Sequence, residues 1–139
     1  MKNHTVSGSQ VVGGDVVMQS RRLATWRTIE CYAANPLLPL SVARLCRETG
    51  VSPRTLDHAC RANTGRSPIA YIRHCHMALA HVMLRRAGPK AAVTEIATFC
   101  GFTHLGRFSA VYRRRYGQSP SQTLRQSAAR LASAMSEAA

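Results

Sequence analysis

The sequence predicts an all-α fold of about seven helices, in which a long helix joins two helix-turn-helix units. The first observation behind this prediction is an internal repeat, because residues 42–68 and 93–120 share one pattern. Each has a short helical segment, a glycine turn, a second helical segment and a closing Gly-x-Ser-Pro. The second is that apolar residues recur three and four positions apart, as in helices that bury one face. With 45% hydrophobic residues, 139 residues suffice for one domain or for two very small ones that share a core.

Residues 1–19 are rich in Gly and Ser and have no periodicity, so we interpret them as a flexible N-terminal arm. The predicted domain follows at residues 20–127, and its first helix covers about residues 20–33. Asn35-Pro36 should end this helix, because proline cannot continue it. The apolar stripe of this helix consists of Leu23, Trp26, Ile29 and Ala33.

The first helix-turn-helix unit is predicted at about residues 41–65. Ser41 can cap its first helix, and Gly50-Val51-Ser52 forms the turn, where glycine accepts a positive φ. Ser52 is a good N-cap for the second helix. Pro53 suits the first helical position, because the N–H that proline lacks would be unpaired there anyway. The side chains that face the core are Leu56, Ala59 and Cys60, and the helix ends at Gly65.

A long helix at about residues 67–87 should connect this unit to the second one, predicted at about residues 94–117. Some 20 residues make a helix roughly 30 Å long, which suits two units about one turn of DNA apart, near 34 Å. Aligning the glycine turns pairs Ser52 with Thr103. The second helix of this unit, about His104 to Tyr116, is then one residue longer, with Phe108, Val111 and Tyr112 facing the core. A last helix starts at Ser119-Pro120 and frays into a tail, residues 128–139.

The charge is strongly positive, with a formal net charge of +13 and a pI near 11.0. Between residues 58 and 136, Glu95 is the single acid against twelve Lys or Arg. Nearly all of these cations are arginine, which favours bidentate contacts to phosphate or guanine. This balance predicts nucleic acid or an anionic surface as the partner. The alternative is a basic protein from an arginine-rich proteome.

Two segments resemble the AraC/XylS family of bacterial transcription regulators, and in particular its XylS-like branch. They are GFTHLGRFSAVYRRRYGQSPSQTLRQ, residues 101–126, and SPRTLDHACRANTGRSPIAYIR, residues 52–73. The resemblance covers roughly residues 20–127 and implies a DNA-binding domain with two helix-turn-helix subdomains. In that family both recognition helices enter successive major-groove segments of double-stranded DNA. The chain departs from many relatives at Cys60, where they have an aromatic residue, and at His58 and Ala110, where they have arginine.

From this resemblance we expect the first residues of each recognition helix to contact DNA bases. The residues at these positions are Arg54, Asp57 and His58 in the first unit, and His104, Leu105, Gly106 and Arg107 in the second. Arg54 and Arg107 are the leading candidates, because arginine can donate two hydrogen bonds to guanine O6 and N7. The alternative for each is a phosphate contact or a solvated surface charge.

The other candidates have two interpretations each. Asp57 could orient Arg54 or Arg61, which we favour, or accept a hydrogen bond from cytosine N4. His58 could contact DNA or be an idle surface residue, and Leu105 could touch a thymine methyl or belong to the core. Gly106 could allow close approach to the groove or satisfy a packing requirement. Residues predicted to hold phosphates, which position the protein without specifying sequence, are Ser52, Arg61, Arg73, Thr103, Arg113, Arg114 and Arg115.

Other chemistry is weakly supported. His74-Cys75-His76 with His81 invites a metal site, but no second pair stands at zinc-finger spacing, so we expect no metal and no cofactor. No catalytic triad, phosphate loop or paired carboxylates are present, and we predict no enzyme. No apolar run is long enough for a membrane span, and no signal-peptide core precedes the domain. The five cysteines are expected to be small buried hydrophobes.

The sequence therefore predicts a sequence-specific regulator of transcription that acts on chromosomal DNA in the cytoplasm, associated with the nucleoid. A non-specific or architectural DNA-binding protein is the main alternative. A module that contacts a protein, such as RNA polymerase, is another, and polymerase could also be an additional partner. Only about 20 residues precede the domain, so we expect a stand-alone monomer controlled by abundance, or a fragment of a longer effector-responsive regulator.

Overall fold

The computed structural model describes the backbone of residues 8–138 and the side chains from residue 13 onward. Seven α-helices cover most of this range, and no strand is present within it, so the all-α prediction is confirmed. The helices are α1 (Gly8–Ala34), α2 (Val42–Thr49), α3 (Pro53–Thr64), α4 (Pro68–Arg86), α5 (Val93–Phe99), α6 (Leu105–Tyr116) and α7 (Pro120–Glu137).

The chain divides into two compact units, each with one helix-turn-helix pair. The first contains the chain up to Cys31 and Leu40–Tyr71, and the second contains Tyr32–Pro39 and the chain from Ile72 onward. Helices α1 and α4 each contribute residues to both units. The pairs α2–α3 and α5–α6 lie where the internal repeat predicted them.

The first helix is longer than the sequence suggested. The predicted start of the first helix near residue 20 is wrong, since α1 already begins at Gly8, while residues 1–7 of the predicted flexible arm lie outside the described residues. Every side chain from residue 13 to residue 24 is exposed, including Leu23, which was expected in the apolar stripe. A helix that buries no face needs no apolar periodicity, so periodicity could not detect it. Gly13 and Gly14 weaken such a helix without breaking it.

The C-terminal helix is also longer than the sequence predicted. Helix α7 continues to Glu137 instead of fraying at the predicted tail, and residue 139 lies outside the described residues. Alanine is the best helix former, so an alanine-rich segment extends a helix that has already been nucleated. Ser119 starts α7 with a full capping box, in which its hydroxyl accepts from the Gln122 N–H and the Gln122 side chain accepts from the Ser119 N–H.

The core of the first unit is small. Leu45 of α2, Leu56 and Cys60 of α3, and Ile29 of α1 are all fully buried. Beside it the rings of Trp26 and Tyr71 lie 5.5 Å apart between centroids. The two caps predicted for this unit are present, because the Ser41 and Ser52 hydroxyls each accept a backbone N–H of the following helix.

The core of the second unit is larger and aromatic. Phe108 and Tyr112 of α6 are buried in it, whereas Val111, expected to face inward, is 39% exposed. The buried residues around the two rings are Met77, Ala80, Leu84, Ile96, Ala97 and Cys100. Cys60 and Cys100 are the buried cysteines; Cys46 and Cys75 are partly buried and Cys31 is exposed, so the expectation for cysteine holds for only part of the set.

A buried histidine of α4 is hydrogen-bonded to the backbone near the end of α1. His76 of α4 is 5% exposed, and its Nε2 lies 2.8 Å from the backbone oxygen of Tyr32. Burial lowers the pKa of His76, so the neutral ring is favoured. Gly101, with φ +87°, packs on the same segment, and a Cβ atom there would lie 3.0 Å from the Pro36 backbone oxygen.

Candidate nucleic-acid interface

Helix α3 presents the first group of candidate residues because its opposite face is locked into the core. Leu56 and Cys60 are fully buried, so the side chains between them on the other face point to solvent. Arg54 and His58 are exposed there, and Asp57 is partly buried. Ser52, a predicted phosphate ligand, uses its hydroxyl to cap the helix, accepting from the Thr55 N–H at 3.2 Å.

An ion pair decides between the partners considered for Asp57. Its Oδ2 accepts a hydrogen bond from Arg61 Nε at 2.8 Å, one helical turn away, and the structure shows no such bond to Arg54. Both side chains are about half exposed, so this pair contributes little to stability, on the order of 0.2–1 kcal/mol. Its effect is to orient the Arg61 guanidinium while Arg54 keeps its full donor set.

Helix α6 presents the second group of candidates. Arg107 is exposed, and Leu105 is 37% exposed, which places Leu105 outside the core. A Cβ atom on Gly106 would meet nothing within 4 Å, so no packing requirement within the protein explains this glycine. The absence of a side chain there keeps the surface at the start of α6 low, and close approach of another molecule at Gly106 stays a prediction.

The residues of α3 and α6 do not align with each other as the sequence predicted. Helices α3 and α6 both have 12 residues, so the extra residue of the second unit lies in its turn and the prediction of a longer helix is wrong. The N-cap of α6 is His104, without a side-chain cap, so Thr103 is not the equivalent of Ser52. Arg54 is therefore the second residue of its helix, and Arg107 is the third.

The predicted phosphate ligands are distributed unevenly. Three successive arginines, residues 113–115, form the last turn of α6 and are exposed, whereas α3 has only Arg61 in its last turn. Arg115 is partly engaged within the protein, since its Nη1 donates to the His74 backbone oxygen at 2.9 Å. Arg73 on α4 and Thr103 in the turn are also exposed.

A polar network inside the second unit escaped sequence analysis. His81 Nδ1 lies 2.7 Å from the Tyr112 hydroxyl, which donates to Thr123 Oγ1 at 2.9 Å. The His81 ring also stacks on Tyr116, with ring centroids 3.8 Å apart. Partial burial and the nearby charges of Arg85 and Arg115 lower the pKa of His81. The sequence held no local signal, because these groups meet only when α4, α6 and α7 pack together.

The metal site considered for the sequence has no counterpart in the described part of the chain. Between residues 8 and 138 no three His, Cys, Asp or Glu side chains are placed so that they could hold a metal ion. His76 and His81 are each bonded to other groups instead. None of the described helices is long and apolar enough to cross a membrane.

Two helix-turn-helix units with exposed, arginine-bearing second helices define the class of helix-turn-helix DNA-binding domains. A family model described as a helix-turn-helix domain matches residues 45–126. The chain also superposes, with a TM-score of 0.67 and 32% identity, on a probable AraC family transcriptional regulator from Rhodopseudomonas palustris, covering 76% of this chain and 97% of that one. The chain belongs to the AraC family, as the resemblance implied.

Curated relatives agree with this family. The chain is 38% identical over 98 residues to a probable thc operon regulatory protein of Rhodococcus erythropolis, covering 70% of this chain and 30% of that protein. It is 35% identical over 101 residues to a XylDLEGF operon transcriptional activator of Pseudomonas putida, covering 72% and 32%. The chain thus spans about a third of the length of these relatives, which are named as regulators and not as enzymes.

One solved structure that shares this fold contains DNA. The DNA-binding domain of AdpA, crystallised in complex with a target DNA, superposes with a TM-score of 0.68 at 23% identity. The match covers 77% of this chain and 95% of that one.

Proposed function

We propose that this chain binds double-stranded DNA with sequence specificity and regulates transcription, with α3 and α6 in successive major-groove segments. The observation that carries the proposal is that each of the two helices buries one face in a core. On its opposite, exposed face each helix has an arginine near its start. Arg54 and Arg107 would each donate two hydrogen bonds to a guanine, discriminating by roughly 1–3 kcal/mol per base pair.

The remaining candidates would position the protein on the duplex. Arg61, oriented by Asp57, and the Arg113–Arg115 run would hold phosphates on either side of the base contacts. His58 and His104 would contact bases or phosphates beside the arginines. Leu105 would contact a thymine methyl, because its exposure leaves its side chain available. Gly106 would let the start of α6 approach the groove closely, which suits a helix inserted between two phosphate backbones.

A fragment of a longer effector-responsive regulator is the alternative that a specific observation favours, because the chain spans about a third of its curated relatives. In that case a further domain would control the DNA binding described here. We also propose that the chain contacts RNA polymerase. We expect it to be a monomer that lies at the nucleoid in the cytoplasm. A double variant, Arg54→Ala with Arg107→Ala, should lose DNA and keep polymerase if the two surfaces are distinct.

The experiment that tests specificity is competition binding by fluorescence anisotropy, with a selected duplex against bulk DNA at several salt concentrations. Neutralising six to eight phosphates predicts a log–log salt slope of about −5 to −7. The selected duplex should bind at least about 10³-fold more tightly than bulk DNA. If no duplex outcompetes bulk DNA by more than a few-fold, the non-specific architectural alternative holds instead.

Two arginines on the same helix provide a matched pair for this assay. Arg113→Ala should weaken binding to all duplexes by the same factor and reduce the salt slope by about one. Arg107→Ala should weaken the selected duplex more than bulk DNA, because a base contact is lost. Equal effects of the two variants on both kinds of duplex would contradict base contact by Arg107.

A further inference from the structure

A cleft in the second unit lies between α4, α7 and the turn that joins α6 to α7. Its volume is about 500 Å³, which lies in the range of small-molecule pockets. The side chains that matter for its chemistry are His81, Arg85, Gln118, Thr123, Gln126 and Arg130, and none of its lining residues is an acid. None of the predicted base or phosphate ligands lines it, so the DNA proposal does not account for it.

Hydrogen bonds fix the His81 side of this cleft. The Tyr112 hydroxyl donates its own proton to Thr123 Oγ1, so it must accept from His81 Nδ1 at 2.7 Å. The neutral His81 ring therefore carries its proton on Nδ1, which leaves Nε2 for a partner outside this network. Stacking on Tyr116 holds the ring plane in place.

The α7 side of the cleft is also ordered by hydrogen bonds. Gln118 Nε2 donates to Thr123 Oγ1 at 2.9 Å and to Gln126 Oε1 at 3.3 Å, so both of its protons are used. The amide nitrogen of Gln126 is then the donor that remains. Thr123 Oγ1 accepts two of these bonds and can donate only to the Ser119 backbone oxygen, at 3.4 Å.

The cations of the cleft have spare donors. Arg130 uses Nη2 for the Arg85 backbone oxygen at 3.3 Å, and its other N–H groups are not used there. The single proton of the Ser127 hydroxyl is shared between the same oxygen, at 2.9 Å, and that of Ala87, at 2.8 Å, so Ser127 and Arg130 together cap these carbonyls at the end of α4. This capping reduces the negative end of the helix dipole that would otherwise oppose an anion.

We propose that this cleft binds a phosphate-sized tetrahedral oxyanion, held by Arg85, Arg130 and the Gln126 amide. Donors from two helices converge on one space, which suits a group that accepts hydrogen bonds in several directions. The source of the oxyanion is either a free phosphorylated small molecule or a phosphodiester of bound DNA. The same anion would favour protonated His81, whose Nε2–H would then be a further donor.

The test is a titration of the full chain with inorganic phosphate, followed by the His81 Cε1–H signal in NMR, against chloride at equal ionic strength. We expect a saturable shift with phosphate and a rise in the pKa of His81, because the anion offsets the repulsion by Arg85 and Arg115. Arg85→Gln should weaken phosphate binding at least tenfold and abolish the rise in pKa. No saturable shift would overturn the proposal.

A matched control separates the cleft from the diffuse charge of the chain. Arg125 is exposed on the same helix as Arg130 but does not line the cleft, so Arg125→Gln removes an equal charge without touching the site. Phosphate affinity should be unchanged in this variant. If Arg125→Gln weakens phosphate binding as much as Arg85→Gln, the cleft is no site and the proposal fails.

Duplex binding distinguishes the two sources of the oxyanion. If the occupant is a free small molecule, Arg85→Gln leaves duplex affinity unchanged and phosphate at constant ionic strength does not displace DNA. If it is the DNA backbone, Arg85→Gln lowers the salt slope by about one and phosphate competes with the duplex. Both results support an oxyanion site, and the phosphate titration does not depend on whether the protein reads sequence.

Discussion

The second helices of the two helix-turn-helix units have the same length and different surfaces. Helices α3 and α6 both have 12 residues and both end at a glycine in the left-handed region, Gly65 and Gly117. Position by position, however, Arg54 corresponds to Gly106, and His58 corresponds to Ala110. Buried positions and glycine ends therefore preserve the shape, while the exposed positions are free to diverge.

The different surfaces indicate different roles for the two units in DNA binding. Near its start α3 offers longer polar side chains, whereas α6 offers a low surface at Gly106 and three arginines in its last turn. Side chains that reach bases provide specificity, and cations that hold phosphates provide affinity and position. We expect the first unit to contribute more base contacts and the second unit to contribute more of the salt-dependent affinity.

The interiors differ as well, and this gives the largest expected effect. Tyr112 occupies in α6 the position that Cys60 occupies in α3, and both are fully buried. Tyr112→Ala should lower the free energy of unfolding by about 3–5 kcal/mol, because it leaves a large cavity. It also removes the hydroxyl that joins His81 to Thr123.

Cys60→Ala is the matched change in the first unit, and it should cost only about 1 kcal/mol, because one small group is removed. Urea unfolding followed by Trp26 fluorescence reports on the first unit, and the NMR signals of His76 and His81 report on the second. Equal losses for the two variants would contradict the larger cavity expected from removing the Tyr112 ring.

The turn glycines provide a second comparison. Gly50→Ala should cost about 1–2 kcal/mol, because its φ of +70° suits glycine and a Cβ atom there meets nothing within 4 Å. Gly101→Ala carries the same strain and adds a contact of 3.0 Å with the Pro36 backbone oxygen. It should therefore cost about 1–3 kcal/mol more. Urea unfolding of both variants measures the difference, and identical costs would mean that the 32–39 segment moves freely.

The two N-caps predict a smaller effect. Ser52→Ala should destabilise the first unit by about 1 kcal/mol, because the Thr55 N–H loses its acceptor. His104→Ala should leave stability nearly unchanged, because His104 forms no side-chain cap. Thermal unfolding of the two variants checks this contrast. A loss for His104→Ala as large as that for Ser52→Ala would contradict the difference between the two turns.

The smallest effect is expected for the ion pair on α3. Asp57→Asn should change stability by less than about 1 kcal/mol, because both partners are half exposed. Affinity for bulk DNA should rise by less than tenfold, since one negative charge is removed near the phosphates. Ser109→Ala, at the corresponding position of α6, is the control and should change neither quantity. A fall in bulk affinity for Asp57→Asn would mean that Arg61 needs this carboxylate to reach its phosphate.

Local signals made much of the fold predictable. Ser41 and Ser52 were expected to be caps and are caps, because a hydroxyl before a helix acts on the N–H groups next to it. The exposed part of α1 was missed because it buries nothing. The extra residue in the second turn was misplaced because Thr103 has the side chain of a good N-cap, whereas the backbone places the N-cap of α6 at His104.

The candidate site was predictable only in outline. Helical spacing placed Arg54 and His58 opposite the core, but Asp57 stands within one turn of both Arg54 and Arg61, so the sequence left its partner open. The structure resolves this choice through the 2.8 Å bond to Arg61. The cleft beside His81 depends on three helices that are distant in the chain, and no local pattern encodes it. The assignment of individual residues to bases stays a prediction.

The central claim is that both recognition helices read bases, and selection from a random duplex pool at about 150 mM salt, followed by sequencing, tests it most directly. We predict a bipartite motif with half-sites about 10 base pairs apart. Arg54→Ala should relax one half-site and Arg107→Ala the other. A motif with a single half-site that Arg107→Ala leaves intact would contradict the claim, because α6 would then only hold phosphates.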